Sequence, residues 1–211
     1  SPRTTIQSPE QYIFLPERTS PTITSHPDLL IAQQLSYKGQ NWQSCYDSLQ
    51  QENSFMLPPW LFIEFINNLK SGNVLDENKQ QLPKQTIDNI LDEILTERDP
   101  YRAEWLNAQF KDNNGLFITH LRFTPQPTLT TEPLEDCLMQ DKQIDLTYLL
   151  QNSTSQGLPL SNTPKGNLHY WHPRSNRVAR FNADADGVLL DCDTNPFNTY
   201  SGLGMRVAKI F

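Results

Sequence analysis

Between residues 28 and 110 the apolar positions recur every three or four residues, the spacing of helices buried on one side. Leu29, Leu30, Ala32, Gln33 and Leu35 predict a short amphipathic helix that ends near Gly39. Trp42, Cys45, Tyr46 and Leu49 predict a second. Leu57-Pro58-Pro59 opens a third, in which Trp60, Phe62, Ile63, Ile66 and Leu69 keep the helical spacing until Gly72 stops it. A fourth starts after Pro83, with Ile87, Ile90, Leu91, Ile94 and Leu95 as its apolar stripe. Trp105, Leu106 and Phe110 predict a short fifth after Pro100.

The period changes after Asn113-Asn114-Gly115, a turn signal. Gly115–Phe123 reads as a strand, followed by two short helical pieces at Leu134–Met139 and Ile144–Leu150. A loop rich in Ser, Asn, Gly and Pro covers 151–166. Four candidate strands come next: Leu168–Trp171, Arg177–Phe181, Gly187–Cys192 and Leu203–Ile210. Three of the four valines, Val178, Val188 and Val207, fall among them, as suits a pleated sheet. Upstream of all this, Pro2, Pro9, Pro16, Pro21 and Pro27 predict an extended arm over 1–27, with Tyr12–Leu15 docking. The expected organisation is an arm (1–27), a helical region (28–112) and a second domain (115–211), together α+β.

Leu, Ile, Val and Phe make up 53 of the 211 residues, above the ~20% level that signals disorder, so a core can form. Amides (17 Asn, 17 Gln) take the place of many apolar residues. A net charge of −7 argues against a nucleic-acid-binding surface, which needs a basic face to neutralise phosphates. No stretch approaches the ~18 apolar residues of a membrane span, and the sequence opens without an apolar signal-peptide core. Cys45, Cys137 and Cys192 are scattered, with no CxxC, and are expected to be small buried hydrophobes.

Asp184, Asp186, Asp191 and Asp193, with Asn195, crowd around Gly187. Hard oxygen ligands at alternate positions suit calcium, but Gly187 follows the second Asp directly and the register of an EF-hand loop is missed. No metal site is expected. His169 and His172, three apart on a strand, point to opposite faces, and His120 stands alone. Neither Gly-x-Ser-x-Gly, a Gly-rich phosphate loop nor His-Glu-x-x-His occurs, and no enzymatic activity or cofactor is expected. From Phe181 onward, fixed-looking residues (Leu190, Cys192, Pro196, Leu203, Gly204, Arg206, Val207) alternate with Asn, Asp, Ser, Thr and Tyr, residues that suit a binding surface. Val178, Phe181, Leu190, Cys192, Leu203 and Val207 are expected to point inward. Arg206 should hold a carboxylate or backbone carbonyls.

The ending Asp193-Thr-Asn-Pro-Phe-Asn-Thr-Tyr-Ser-Gly-Leu-Gly-Met-Arg-Val-Ala resembles the C-terminus of C-type-lectin-fold domains of the formylglycine-generating-enzyme-like branch. It is similar in particular to the variable proteins of diversity-generating retroelements, whose C-terminal segment is mutagenised at adenines. Leu-Gly-Met-Arg stands here where those domains have Gly-Phe-Arg. The resemblance implies a lectin-type order over 115–211, with Gly115–Phe123 beside Leu203–Ile210. It implies a non-enzymatic ligand-binding protein, displayed on a cell, phage or archaeal virus, that takes a protein or glycan receptor. The expected binding face comprises Asn182, Asp184, Asp186, Val188, Leu189, Asp191, Asp193, Thr194, Asn195, Phe197, Asn198, Tyr200 and Ser201. A calcium-stabilised adhesion module is the alternative. An enzyme of the formylglycine-generating branch is a further one, for which the isolated Cys192 is a poor match.

Overall fold

The computed structural model describes residues 11–21 and 23–211; Pro2 and Pro9 of the expected arm lie outside them. The arm does dock, as strand β1 (Tyr12–Leu15), which pairs antiparallel with β2 (Leu29–Ala32). Leu29–Ala32 is therefore a strand and not the expected helix. A four-residue apolar run is ambiguous between the two, and here pairing on both edges decides it.

The next helices fall where the apolar period puts them. In α1 (Trp42–Gln51) the Asn41 side chain caps the start by accepting from the Ser44 amide at 2.8 Å. Helix α2 (Pro59–Ser71) begins on a proline, whose missing N–H costs nothing there, and ends at Gly72 in the left-handed conformation (φ 75°). After the short β3 (Leu75–Asp76) comes α3 (Lys84–Leu95), which buries Ile87, Ile90 and Ile94.

The expected fifth helix is instead β4 (Arg102–Asp112), an interior strand of the larger sheet. Residues 102–108 are buried whichever face they point to, so strand alternation is lost from the sequence. The turn signal at 113–115 joins β4 to β5 (Leu116–Phe123) as a hairpin, and β6 (Pro127–Pro133) pairs with β5. Leu134–Met139 is not helical. Its backbone is held from outside, with the Leu138 amide donating to the Pro159 carbonyl and the Glu135 amide to the Gln156 side chain. Then follow β7 (Lys142–Ile144), α4 (Leu146–Gln151), β8 (Leu168–Trp171), β9 (Arg177–Asp184), β10 (Gly187–Thr194), β11 (Leu203–Met205) and β12 (Ala208–Ile210).

The fold is thus α+β, dominated by two sheets. The smaller has the order β12-β2-β1-β3, and the larger β6-β5-β4-β9-β10-β8-β7, with β11 parallel to β4. Leu203–Ile210 does not lie beside Gly115–Phe123, as the lectin order implied. It breaks at Arg206-Val207, giving β11 to β4 in one sheet and β12 to β2 in the other. One apolar cluster fills the space between the larger sheet and α2, α3 and α4, drawing on both sides of residues 113–114. A second lies on the opposite face, where α1 brings Trp42 and Cys45 against Trp105, Val178, Leu203 and Met205. The predicted inward residues are all buried, but on two faces: Phe181, Leu190 and Cys192 join the first cluster, and Val178, Leu203 and Val207 the second. Among the described residues no helix is long and apolar enough to cross a membrane.

Candidate functional site

Strand alternation divides β10 between two environments. Leu190 and Cys192 enter the core, and Leu189, Asp191 and Asp193 point to the other face. On that outer face Leu189 lies opposite Asn182 of β9 and His169 of β8, and Asp191 lies opposite Arg180 and Trp171. The Arg180 guanidinium donates to the Tyr101 hydroxyl at 2.7 Å and meets Asp191 at 3.4 Å. The Tyr101 ring is in turn edge-on to Tyr200, centroids 6.1 Å apart. Tyr200, Tyr101, Arg180 and Asp191 thus form one chain across the face. Burial pushes the Asp191 carboxyl above the usual carboxylate range, with Arg180 opposing, and burial likewise raises Tyr101.

A second group sits farther along β10. Asp193 meets Arg174 at 3.1 Å and Arg177 at 3.5 Å, and Arg174 also grips Asp141 at 2.7 Å. Against its own desolvation, hydrogen bonds from Arg174 and the His172 amide hold Asp141 below the usual range. The loop after β10 is built on Asn195, whose side chain accepts from the Phe197 amide at 3.0 Å. Trp171, Phe197 and Tyr200 are left 42%, 76% and 58% exposed.

The thirteen expected face residues therefore separate. Asn182 and Thr194 are buried, so these two are not accessible, and Val188 is half-buried against the inner core. Asp191 is nearly buried and acts through Arg180. Asp184 and Asp186 form the β9–β10 hairpin tip, where the Asp184 side chain accepts from the Asp186 amide at 2.8 Å. The aspartates go to a turn and to separate arginines, and among the described residues no group of three or more His, Cys, Asp or Glu is arranged to hold a metal ion. Leu189, Asp193, Asn195, Phe197, Asn198, Tyr200 and Ser201 keep exposed or half-buried surface.

Sequence reasoning missed Tyr101, Arg174, Arg177 and Arg180. Arg180 was legible in principle, since alternation from the inward Phe181 puts it outside. Tyr101 was not: it arrives from 79 residues upstream. All three cysteines are buried free thiols; burial pushes Cys45 up to about 12, Cys137 up to about 11 and Cys192 well above its ordinary value. No family model, curated protein or solved structure matches the chain.

Proposed function

We propose that this chain is a non-enzymatic ligand-binding protein whose contact surface is the outer face of β8, β10 and β9 with the loop over 195–201. The observation that carries the reading is the exposure of Trp171, opposite Asp191, and of Tyr200, edge-on to Tyr101, around the Arg180–Asp191 ion pair, with Phe197 exposed in the adjoining loop. Trp, Tyr and Arg are the side chains that dominate protein–protein hot spots, and pairing beforehand with Asp191, Asp193 and Tyr101 lowers the entropy lost on contact. A folded protein receptor fits this surface best.

The resemblance to variable proteins of diversity-generating retroelements supports a diversified surface on a C-type-lectin-like scaffold. Buried thiols held protonated favour binding over the cysteine chemistry of the formylglycine-generating branch. Aspartates already engaged by arginines and a turn favour it over a calcium-stabilised adhesion module.

The test is a displayed library varied at Trp171, Phe197, Asn198, Tyr200 and Ser201, selected against purified lysozyme. Folded, specific binders are expected. A library that loses its fold at these positions, or folds and yields no binders, overturns the reading. At the gene, a neighbouring reverse transcriptase and a near-copy of the 3′ coding region differing at adenines are expected, and their absence removes the retroelement part.

A further inference from the structure

The loop that carries Phe197 and Tyr200 is fastened at both ends by backbone bonds. The Trp42 amide at the start of α1 donates to the Pro196 carbonyl at 3.1 Å, and the Ala103 amide of β4 donates to the Gly202 carbonyl at 2.9 Å. Gly202 has no slack, since a Cβ on it would stand 2.2 Å from the Tyr101 carbonyl oxygen. Between those fastenings Tyr200 meets the sheet through its ring, edge-on to Tyr101.

From Tyr101 the contacts run inward. The Arg180 guanidinium donates to the Tyr101 hydroxyl, lies 5.8 Å from the centre of its ring, and is opposed by Asp191. Asp191 is nearly buried. One of its carboxyl oxygens accepts from the Asp193 amide at 2.8 Å, and the other faces Arg180 at 3.4 Å. A proton on that second oxygen sets a hydroxyl against a guanidinium N–H, two donors face to face, and removes the charge that held the arginine. Arg180 then withdraws both its hydrogen bond and its charge from the ring on which Tyr200 rests. Burial favours the neutral acid and moves its protonation above the ordinary aspartate value of 3.8, with Arg180 opposing.

The surrounding charges are accounted for on each element. On its own strand Asp193 is paired with Arg174 and Arg177. From β8 Trp171, which does not titrate, lies opposite, with His169 two residues away opposite Leu189. From β9 come Arg180 itself and Asp184, whose charge acts on Tyr101.

We propose that Asp191 is an acid-operated latch on the 197–201 loop: charged, it holds Arg180, Tyr101 and Tyr200 in the arrangement that meets the receptor, and protonated, it frees Tyr200, so that a receptor held at neutral pH is let go in mild acid. This use of the latch rests on the receptor-binding reading above, but the latch itself is a property of the free chain and is tested there.

The test is an NMR titration of the full chain from pH 7 to pH 4, following the Asp191 carboxyl carbon, the Tyr200 ring and the amides of 197–201. The Asp191 midpoint should lie above 3.8, and the Tyr200 and loop resonances should shift with that same midpoint. Asp191→Asn keeps an acceptor for the Asp193 amide but carries no charge. Its loop resonances at pH 7 should already stand at the acid positions of the natural chain and stay there as the pH falls. A loop that does not move in the natural chain, an Asp191 midpoint at or below 3.8, or an Asp191→Asn loop that still titrates as the natural one does each overturns the proposal. The natural chain alone decides the matter if Asp191→Asn does not fold, because loop and carboxyl must share a midpoint. None of these failures touches the receptor-binding reading, which stands or falls on the displayed library.

Discussion

Arg206 meets Glu104 at 2.9 Å across 102 residues of sequence, with both side chains only 1% exposed. The same guanidinium donates to the Ala32 and Gln33 carbonyls at 2.9 and 2.6 Å, so it ties β4 of the larger sheet to the end of β2 in the smaller. Glu104 also accepts from Arg102. Burial pushes the Glu104 carboxyl up, but Arg206 and Arg102 outweigh it and hold the group below the usual range. Removing Arg206 takes this donor from both carbonyls and leaves the buried Glu104 charge to Arg102 alone. Arg206→Met should therefore cost about 3–5 kcal/mol in urea unfolding, as broken buried ion pairs do. A loss below about 1 kcal/mol would mean that water reaches Glu104 and that the two sheets are joined by other contacts.

His120 gives the fold a pH dependence. Its ring, fully buried on β5, donates or accepts at 2.8 Å with Glu132, which also receives Arg122 at 2.7 Å. Burial, reinforced by the Arg122 charge, lowers the imidazole from 6.5 to about 4, against the opposing hydrogen bond and charge of Glu132. Between those values the unfolded chain binds the proton and the native chain does not. Stability from this group is thus complete above pH 6.5 and is lost as pH falls toward 4. From pH 7 to pH 5 the loss should be about 2 kcal/mol. Urea midpoints at the two pH values check it, and His120→Gln should abolish that part of the slope.

The helices were legible because each carried its own local signals: Asn41 as a cap, Pro59 and Gly72 as boundaries, Ile87, Ile90 and Ile94 as a stripe. The strands at Leu168–Trp171 and Gly187–Thr194 were legible because they are bounded by turn residues and one of their faces is wet. Leu29–Ala32 and Arg102–Asp112 were misread for the opposite reason. Buried on both faces, they carry no alternation, and only partners far along the chain make them strands. The outer face was half legible. Its exposed aromatics and its turn at Asn195 lie in one segment, but Asn182 and Thr194 look like their neighbours and are buried by contacts the sequence does not display. Asn107 looked like one polar residue in a helix and is an unpaired amide in a strand.

Gly157 is fixed by close approach as much as by conformation. Its φ is +84°, and a Cβ there would stand 2.2 Å from the Trp60 amide nitrogen and 2.4 Å from the Pro59 carbonyl carbon. Both are backbone atoms at the start of α2, which is pinned in turn by the Trp60 indole donating to the Leu121 carbonyl at 2.9 Å. The helix cannot yield without moving the core. Gly157→Ala should cost several kcal/mol, about 3 or more, well beyond the ~1 kcal/mol of an unfavourable φ alone. Thermal and urea unfolding check this. A cost near 1 kcal/mol would mean that the loop over 152–160 lifts freely from α2.

The proposed receptor surface makes the sharpest demand on 182–201, because scaffold and proposed contact residues alternate there within a few positions. Phe181 packs on Phe62 at 4.9 Å between centroids, and its replacement by Ala should cost ~3–5 kcal/mol. Asn195→Ala removes the bond that shapes the loop and should cost about 1 kcal/mol, the scale of a lost side-chain-to-backbone hydrogen bond. Phe197 and Ser201 are exposed, so Phe197→Ala and Ser201→Ala should stay within about 0.5 kcal/mol. A saturation library over 182–201 sorted for folding reads all of these at once. Asn182, Leu190, Cys192 and Thr194 should reject most replacements, and Asp186, Phe197, Asn198 and Ser201 should accept nearly all. A surface that meets changing receptors needs that second set, since a chain that unfolded with each new side chain could not be diversified. If Phe197, Asn198 and Ser201 prove as intolerant as Leu190, the loop is structural and the receptor-binding proposal fails with it.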